Sequence, residues 1–443
     1  LIVVERDAVA DIRAFRGFRY DLGRVGMLSD VVAPPYDVID SQLQQALYDR
    51  SPYNAIRLEL TREEPNDSES SNRYSRAAQT LHSWLGENAL KQDTRPNLYV
   101  CEQEFTVGGT TYRRRGFFAR VRLEPFGSGR IFPHEETMSG PKEDRLKLYR
   151  ATGMNLSPVF GLYPDEQNEV FARLEPLLRS LPLQATDHLG VTSRLWPITD
   201  ERAITAVAGL MAPRPVFIAD GHHRYETALR YLEEQRAAGM IPNDEAPANF
   251  VLMMLVGMND PGLVILPTHR LVSGIPDLNA DQLRSALEPH FQLETIGTGA
   301  AAGEETWGLI EADGTQAVLG FHTLADHTWQ LARFVAPRLM EEHAPDHSAD
   351  WRDLAVSVLH ELVLNRLLPV SIGGRAKCRY VHLLSEVNQA IAANDFPMAV
   401  LVPPATMGHV ERIAGNREKM PPKSTYFYPK LLTGLVFNSL KVN

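Results

Sequence analysis

Cysteine is scarce in this 443-residue chain: Cys101 and Cys378 stand far apart, neither within a Cys-x-x-Cys pair. That usage supports neither a disulfide framework nor a cysteine zinc site, and it fits a reducing, cytoplasmic setting. Long apolar runs are missing too. The longest, Phe250 to Val256, falls well short of the roughly 20 residues a membrane-spanning helix needs, so no membrane segment is expected. Positive charge is not in excess. Against 45 Lys+Arg stand 55 Asp+Glu, and the resulting −10 argues against broad contact with a nucleic-acid backbone, which needs a basic face. Local basic clusters can still hold small anions. No internal repeat or low-complexity tract is found, and Leu1 to Asp11 lacks the basic-then-apolar order of a signal peptide.

What is present is an ordinary globular balance, 44% hydrophobic and 23% charged, with length enough for two to four domains. Residues 1–125 read as a mixed-sheet region: a half-buried strand at Asn54 to Leu60, a helix at Asn72 to Leu85, then a hairpin, Asn97 to Thr106 and Thr111 to Leu123, turning at Gly108-Gly109. Residues 126–275 carry the polar density and the chemistry. Phe250 to Met258 reads as a buried helix or strand, and Gly262 to Pro267 as a strand. Residues 276–345 read as a small α+β accessory unit, with a helix at Asp281 to Leu287 and strands at Thr306 to Glu311 and Ala317 to Phe321. Residues 346–443 read as a C-terminal α/β region: a helix at Trp351 to Leu368, a strand at Arg379 to Leu383, a helix at Glu386 to Ala393 and a strand at Met398 to Val402.

The sharpest local signal is Asp220-Gly221-His222-His223-Arg224-Tyr225-Glu226. Val216 to Ala219 is a short apolar run, the mark of a buried strand, and Ala228, Leu229 and Leu232 then repeat at helical spacing. The turn between them exposes backbone N–H groups at a helix start, where the dipole favours an anion. Arg224 adds a planar fork suited to phosphate oxygens; His222 and His223 add donors or a proton acceptor. The plainer alternative makes Asp220 a helix cap and leaves both histidines on the surface. Asp220, His222, His223, Glu135 and His269 are also zinc or iron ligand types, yet adjacent histidines rarely aim at one metal from a helix start.

This turn resembles the phosphate-binding turn of the ParB/sulfiredoxin superfamily, where sulfiredoxins carry Gly-Cys-His-Arg and ADP-dependent free-serine kinases a similar turn. His222 replaces the sulfiredoxin cysteine, so sulfinic-acid repair is not expected. Six segments in one order, Ala33 to Asp37, Pro133 to Thr137, Pro141 to Arg145, Asn155 to Pro158, Asp220 to Arg224 and Lys423 to Lys430, resemble domain-of-unknown-function family 1015. The resemblance implies an α/β (mixed α+β) fold with a ParB/sulfiredoxin-like nucleotide-binding core, insertions and a C-terminal α/β region. It also implies that Pro133-His134-Glu135-Glu136 supplies a catalytic carboxylate, Glu135 with Glu136 in reserve, and that His222 shares the catalytic role.

Without the resemblance, His134 to Glu136 reads as a charged loop, and Lys142, Asp144 and Arg145 as an ordinary helix-surface ion-pair set. With it, Lys142 and Arg145 become second contacts to phosphate, and Glu135 and Asp144 candidate ligands of a nucleotide-bound Mg²⁺. Thr268-His269-Arg270 ends an apolar strand, a position suited to ligands or simply solvated. Lys423 and Lys430 flank Tyr426 to Tyr428, which could face a nucleotide or pack the C-terminal stretch. Tyr36, Asp37, Asn54 and Arg57 read equally as cleft residues or a buried polar network. The expectation is nucleotide-dependent phosphotransfer, kinase-like, from ATP or ADP with Mg²⁺ to a small hydroxylated metabolite. The alternatives are a ParB-type nucleotide switch or slow nucleotidase without DNA binding, and a non-catalytic ligand binder. Monomer and homodimer are both compatible with the sequence.

Overall fold

A computed structural model describes residues 9–136 and 140–441. Thr137 of the Pro133 to Thr137 segment and residues 1–8 of the Leu1 to Asp11 stretch lie outside the described residues. The fold is mixed α/β, and the chain packs as two units. Of the described residues, the larger takes 9–133, 140–263 and 429–441, and the smaller takes His134–Glu136 and Val264–Tyr428.

The larger unit is built on a mixed sheet of nine strands among the described residues. Its order runs Ile131–Pro133, Val216–Asp220, Val159–Tyr163, Phe250–Gly257, Thr110–Arg122, Leu98–Val107, Thr192–Ile198 and Leu183–Thr186, with Ile12–Arg13 paired to Thr110–Arg122. Phe250–Gly257 is a strand because it is central: it runs parallel to Val159–Tyr163 on one side and antiparallel to Thr110–Arg122 on the other. Burial on both faces explains its unbroken apolar run. The hairpin forms as read, Leu98–Val107 turning through Gly108 and Gly109, both at positive φ, into Thr110–Arg122. The helix Arg73–Gly86 starts at an Asn72 capping box and buries Ala77, Leu81 and Trp84.

Asn54 to Leu60 is not a strand. The Asn54 amide donates to the carbonyls of Asp30 and Val32, and its Oδ1 accepts from Ile56 N–H. This seeds a helical turn over Ile56–Glu59 that buries Ile56, Leu58 and Glu59 together. Arg57 donates to the carbonyls of Ser51 and Tyr48, so Asn54 and Arg57 serve the buried network.

The smaller unit holds an antiparallel sheet ordered Phe291–Thr298, Thr328–Phe334, Val318–Thr323, Met398–Leu401, His269–Ser273 and Lys377–Val381. Strands from 276–345 and from 346–443 thus share one sheet. Thr306 to Glu311 lies inside a helix, Gly299–Asp313, rather than a strand. Its buried residues Ala302, Thr306 and Ile310 recur every four positions, and helical spacing overrides the local β-formers. The stretch Trp351 to Leu368 is interrupted: Ala349–Arg352, Ala355–Ser357 and a π-type segment Val358–Leu367 replace one continuous helix. No described helix is long and apolar enough to cross a membrane.

Candidate functional site

In the larger unit Val216–Asp220 meets Val159–Tyr163 with a β-bulge between Ile218 and Asp220, which re-aims the Asp220 side chain at the strand's end. Gly221 follows at φ 86°, ψ 27°, a left-handed conformation that other residues adopt at a cost. A Cβ there would sit 2.9 Å from Arg224 Nε, so the space is closed as well. The helix His222–Ala237 then starts from Gly221, an N-cap without a side chain.

Asp220 is held on both oxygens. Lys430 Nζ donates to Oδ1 at 2.6 Å and Arg224 Nη2 to Oδ2 at 2.5 Å. Burial alone would raise this carboxyl's pKa; Lys430, then Arg224, outweigh it and hold the group far below the usual carboxylate range. The Arg224 side chain is 4% exposed and also donates to the Pro158 carbonyl. Its fork is therefore turned into the protein. His222 is buried near the Asp220 charge, and His223 is half-buried, its carbonyl accepting from Thr227 Oγ1 at 2.6 Å.

A second buried pair belongs to the same cluster. Arg145 donates to the Glu59 carbonyl at 2.9 Å and lies 3.4 Å from Glu59 Oε1, with side chains 4% and 1% exposed. Ser157 Oγ donates to the same carboxylate oxygen at 2.9 Å. The Arg145 guanidinium sits 4.1 Å from the Tyr36 ring centre, and Tyr36, Asp37 and Glu59 all contribute to the field at Arg224. Burial pushes the Tyr36 hydroxyl pKa well up, with Asp37 adding and Arg145 and Arg224 opposing. Asp144 is committed elsewhere: Arg73 and Tyr74 reach Oδ1 at 2.5 and 2.7 Å, and Arg145 reaches Oδ2. It fits an ion-pair hub rather than a Mg²⁺ ligand. Lys142 pairs with Glu226 at 2.9 Å, one of three ion-pair levels that tie Gly140–Thr152 to His222–Ala237, with Glu143 to Arg230 and Arg150 to Glu234. Among the described residues no group of three or more His, Cys, Asp or Glu could hold a metal ion.

Asp220, Gly221, His222, His223, Arg224, Lys142 and Arg145 thus all belong to the larger unit, whereas Glu135, Glu136 and His269 belong to the smaller one. There Met420 N–H donates to the His134 carbonyl at 2.8 Å and Glu136 N–H to the Met420 carbonyl at 3.0 Å, clamping Glu135 between them. His134 is fully buried, with Nε2 2.7 Å from Thr425 Oγ1. Arg270, also buried, donates to the carbonyls of Thr268 and Lys423 and to His360 Nε2 at 3.3 Å; Glu135 is among the charges that oppose the lowering of its pKa by burial, to about 10. His269 packs edge-on against Trp307 and accepts from Val402 N–H at 3.3 Å, a core position. Sequence reading missed Glu59 as a site residue, and Lys430 carried no assigned partner. Burial holds the Cys101 thiol up at about 12, far from an activated thiolate.

A family model described as a protein of unknown function matches residues 12–344. The chain belongs to the DUF1015 family. The six segments that resemble the family in sequence are the ones that furnish much of these buried clusters in the DUF1015 fold: Tyr36, Glu135, Arg145, Ser157, Asp220 and Lys430 come from one segment each. A comparison with curated proteins gave no match. Solved structures similar to this DUF1015 chain include a conserved hypothetical protein from Pyrococcus furiosus, at 11% identity and a TM-score of 0.33, covering 68% of this chain and 89% of that one. A free serine kinase in complex with AMP matches at 12% identity and 0.34, covering 67% and 83%. SbnI with a C-terminal truncation, from Staphylococcus aureus, matches at 11% and 0.34, covering 71% and 85%.

The smaller unit carries a pH-dependent load. Burial, then the Arg270 charge, pushes the pKa of His269 and of His360 down to about 3, and burial, then His327, pushes that of His322 to about 4. An unfolded histidine titrates near 6.5, so the unfolded chain binds more protons below that pH. Stability is fully present above pH 6.5 and is lost as pH falls toward the folded values. Each histidine should remove up to about 1.4 kcal/mol per pH unit below 6.5. Urea unfolding at pH 7.5 and 5.5 should show the decline, reduced in His360→Asn; equal stability at both pH values would contradict the assignment.

Proposed function

We propose that this DUF1015 protein binds nucleotide phosphates at the start of the helix His222–Ala237 and transfers a phosphoryl group to a small hydroxylated metabolite. The observation that carries the binding reading is Gly221. It turns the chain in a left-handed conformation at a bulged strand end and opens a 16-residue helix from a residue with no side chain to cap it, and a helix start of that kind favours an anion through its dipole. Arg224 and Lys430 hold that turn from behind, through Asp220 and the Pro158 carbonyl. Phosphoryl transfer asks little covalent chemistry of a protein: positioning, charge for the phosphate oxygens and a carboxylate to orient and deprotonate the acceptor hydroxyl. Glu135, with Glu136 in reserve, takes the carboxylate role; ATP or ADP is the donor class.

The test is thermal unfolding of the whole chain with ATP, ADP, AMP and CTP, with and without Mg²⁺. A bound nucleotide at one hundred times its Kd stabilises by about 2.7 kcal/mol through mass action. Gly221→Ala, strained by its positive φ and pressed against Arg224, should lose that stabilisation while remaining folded. If no nucleotide stabilises the wild-type chain at millimolar concentration, the reading fails.

A further inference from the structure

In the larger unit a cleft of about 220 Å³ is lined by Arg16, Arg120 and Lys441 together with Gln92, Asn438 and Phe15, and no carboxylate is among its described lining residues. None of the three cations forms an ion pair among the described residues. Arg16 Nε donates to a neutral carbonyl, that of Asp93, at 2.9 Å, which leaves its charge uncompensated.

Arg120 is the unusual member. It lies within the strand Thr110–Arg122, paired across to Leu252 and Arg13, with its guanidinium 5.0 Å from the Phe250 ring centre. Its Nε is buried and has no hydrogen-bond partner. The carboxylates nearby serve other arginines: Asp11 and Glu245 are each shared by Arg13 and Arg122, at 2.5 to 3.7 Å. Burial lowers the Arg120 pKa, with Arg13 adding to that and Glu245 and Asp11 opposing. A half-buried guanidinium with no ion pair among the described residues is costly to keep, and an anion in the cleft offsets that cost. Lys441 reaches the same cleft across Gly153, where a Cβ would meet its side chain at 2.4 Å.

We propose that this cleft is a second anion site, separate from the helix start, that binds a small anion of at least two charges, of the phosphate or pyrophosphate kind. Its volume is below the roughly 300–1,000 Å³ of clefts that enclose drug-sized ligands, so it accepts the anionic group rather than a whole nucleotide. Arg120 lines the cleft and supplies a cation from the strand, while Arg16 and Lys441 add charge from exposed positions.

Calorimetric titration of the whole chain with inorganic pyrophosphate tests this. Wild-type protein should bind it in a salt-sensitive manner, and Arg120→Met should weaken binding about tenfold or more, the loss of a charge-assisted bond. Arg16→Ala and Lys441→Ala change exposed side chains and should each weaken binding with stability unchanged, which keeps the test open if Arg120→Met folds poorly. Absence of pyrophosphate binding in the wild type overturns the proposal. So does full binding in Arg16→Ala and Lys441→Ala together with its loss in Gly221→Ala, which would assign the anion to the helix start.

Discussion

Arg224→Ala should lower the free energy of unfolding by about 3–5 kcal/mol, the usual cost of removing one partner from a buried ion pair. The reason is local. Arg224 is one of two cations on Asp220 and the donor to the Pro158 carbonyl, so its loss leaves a buried carboxylate half-compensated and a backbone acceptor unsatisfied. Chemical denaturation should show a lower midpoint with an unchanged slope. Arg224→Lys restores charge without the planar fork and should recover only part of the loss. The pH dependence carries the same signature. Asp220 has a folded-state pKa depressed below its unfolded value of 3.8, so its contribution is present above that value and disappears as pH falls through the folded one. Without Arg224 the folded pKa rises, and acid unfolding should begin at higher pH. A variant as stable as the parent would show that the ion pairs do not hold this turn.

The second large effect concerns chemistry. On the phosphotransfer proposed above, Glu135→Gln should lower turnover by about 10²–10⁴ while nucleotide affinity stays near that of the parent, because glutamine keeps size and most hydrogen bonding and loses the proposed base. Glu135 suits such a role in one respect the structure makes concrete: the backbone on either side of it is fixed by Met420, and its neighbour His134 is fully buried. Normal turnover in Glu135→Gln with intact binding would leave Glu136 to be tested, and normal turnover in both glutamine variants would remove the carboxylate base from the account.

The strand-to-helix turn was legible from residues because its signals are local. An apolar run, a glycine and a helical repeat within 17 residues specify the strand Val216–Asp220 and the start of the helix His222–Ala237. The hairpin at Gly108-Gly109 and the helix that starts at Asn72 were readable for the same reason. Glu59 was not. It alternates with Ile56 and Leu58 as a strand residue would, and what fixes it inside a helical turn is Asn54 bonding to carbonyls 22 and 24 residues away. Its counter-charge Arg145 is 86 residues on, a partnership no local pattern encodes. Thr306 to Glu311 misled for a different reason. Its β-branched and aromatic residues outweigh in a short window the alanines and glutamates that begin the helix at Gly299. The fork of Arg224, expected to grip a ligand, grips the turn itself.

Lys430 reaches Asp220 across 210 residues of chain, and that separation acquires a meaning during synthesis. At roughly 5–20 residues per second, a ribosome that has finished the turn needs about ten to forty seconds more before Lys430 is made. Through that interval the nascent sheet carries Asp220 with Arg224 as its sole arginine or lysine partner of the two it finally has. Asn438, which bonds Asn155, arrives later still. The segment from Pro429 onward therefore acts as a latch that closes only after Lys430 has been made, and truncation shortly before Pro429 should leave a larger unit whose turn is formed but unlatched.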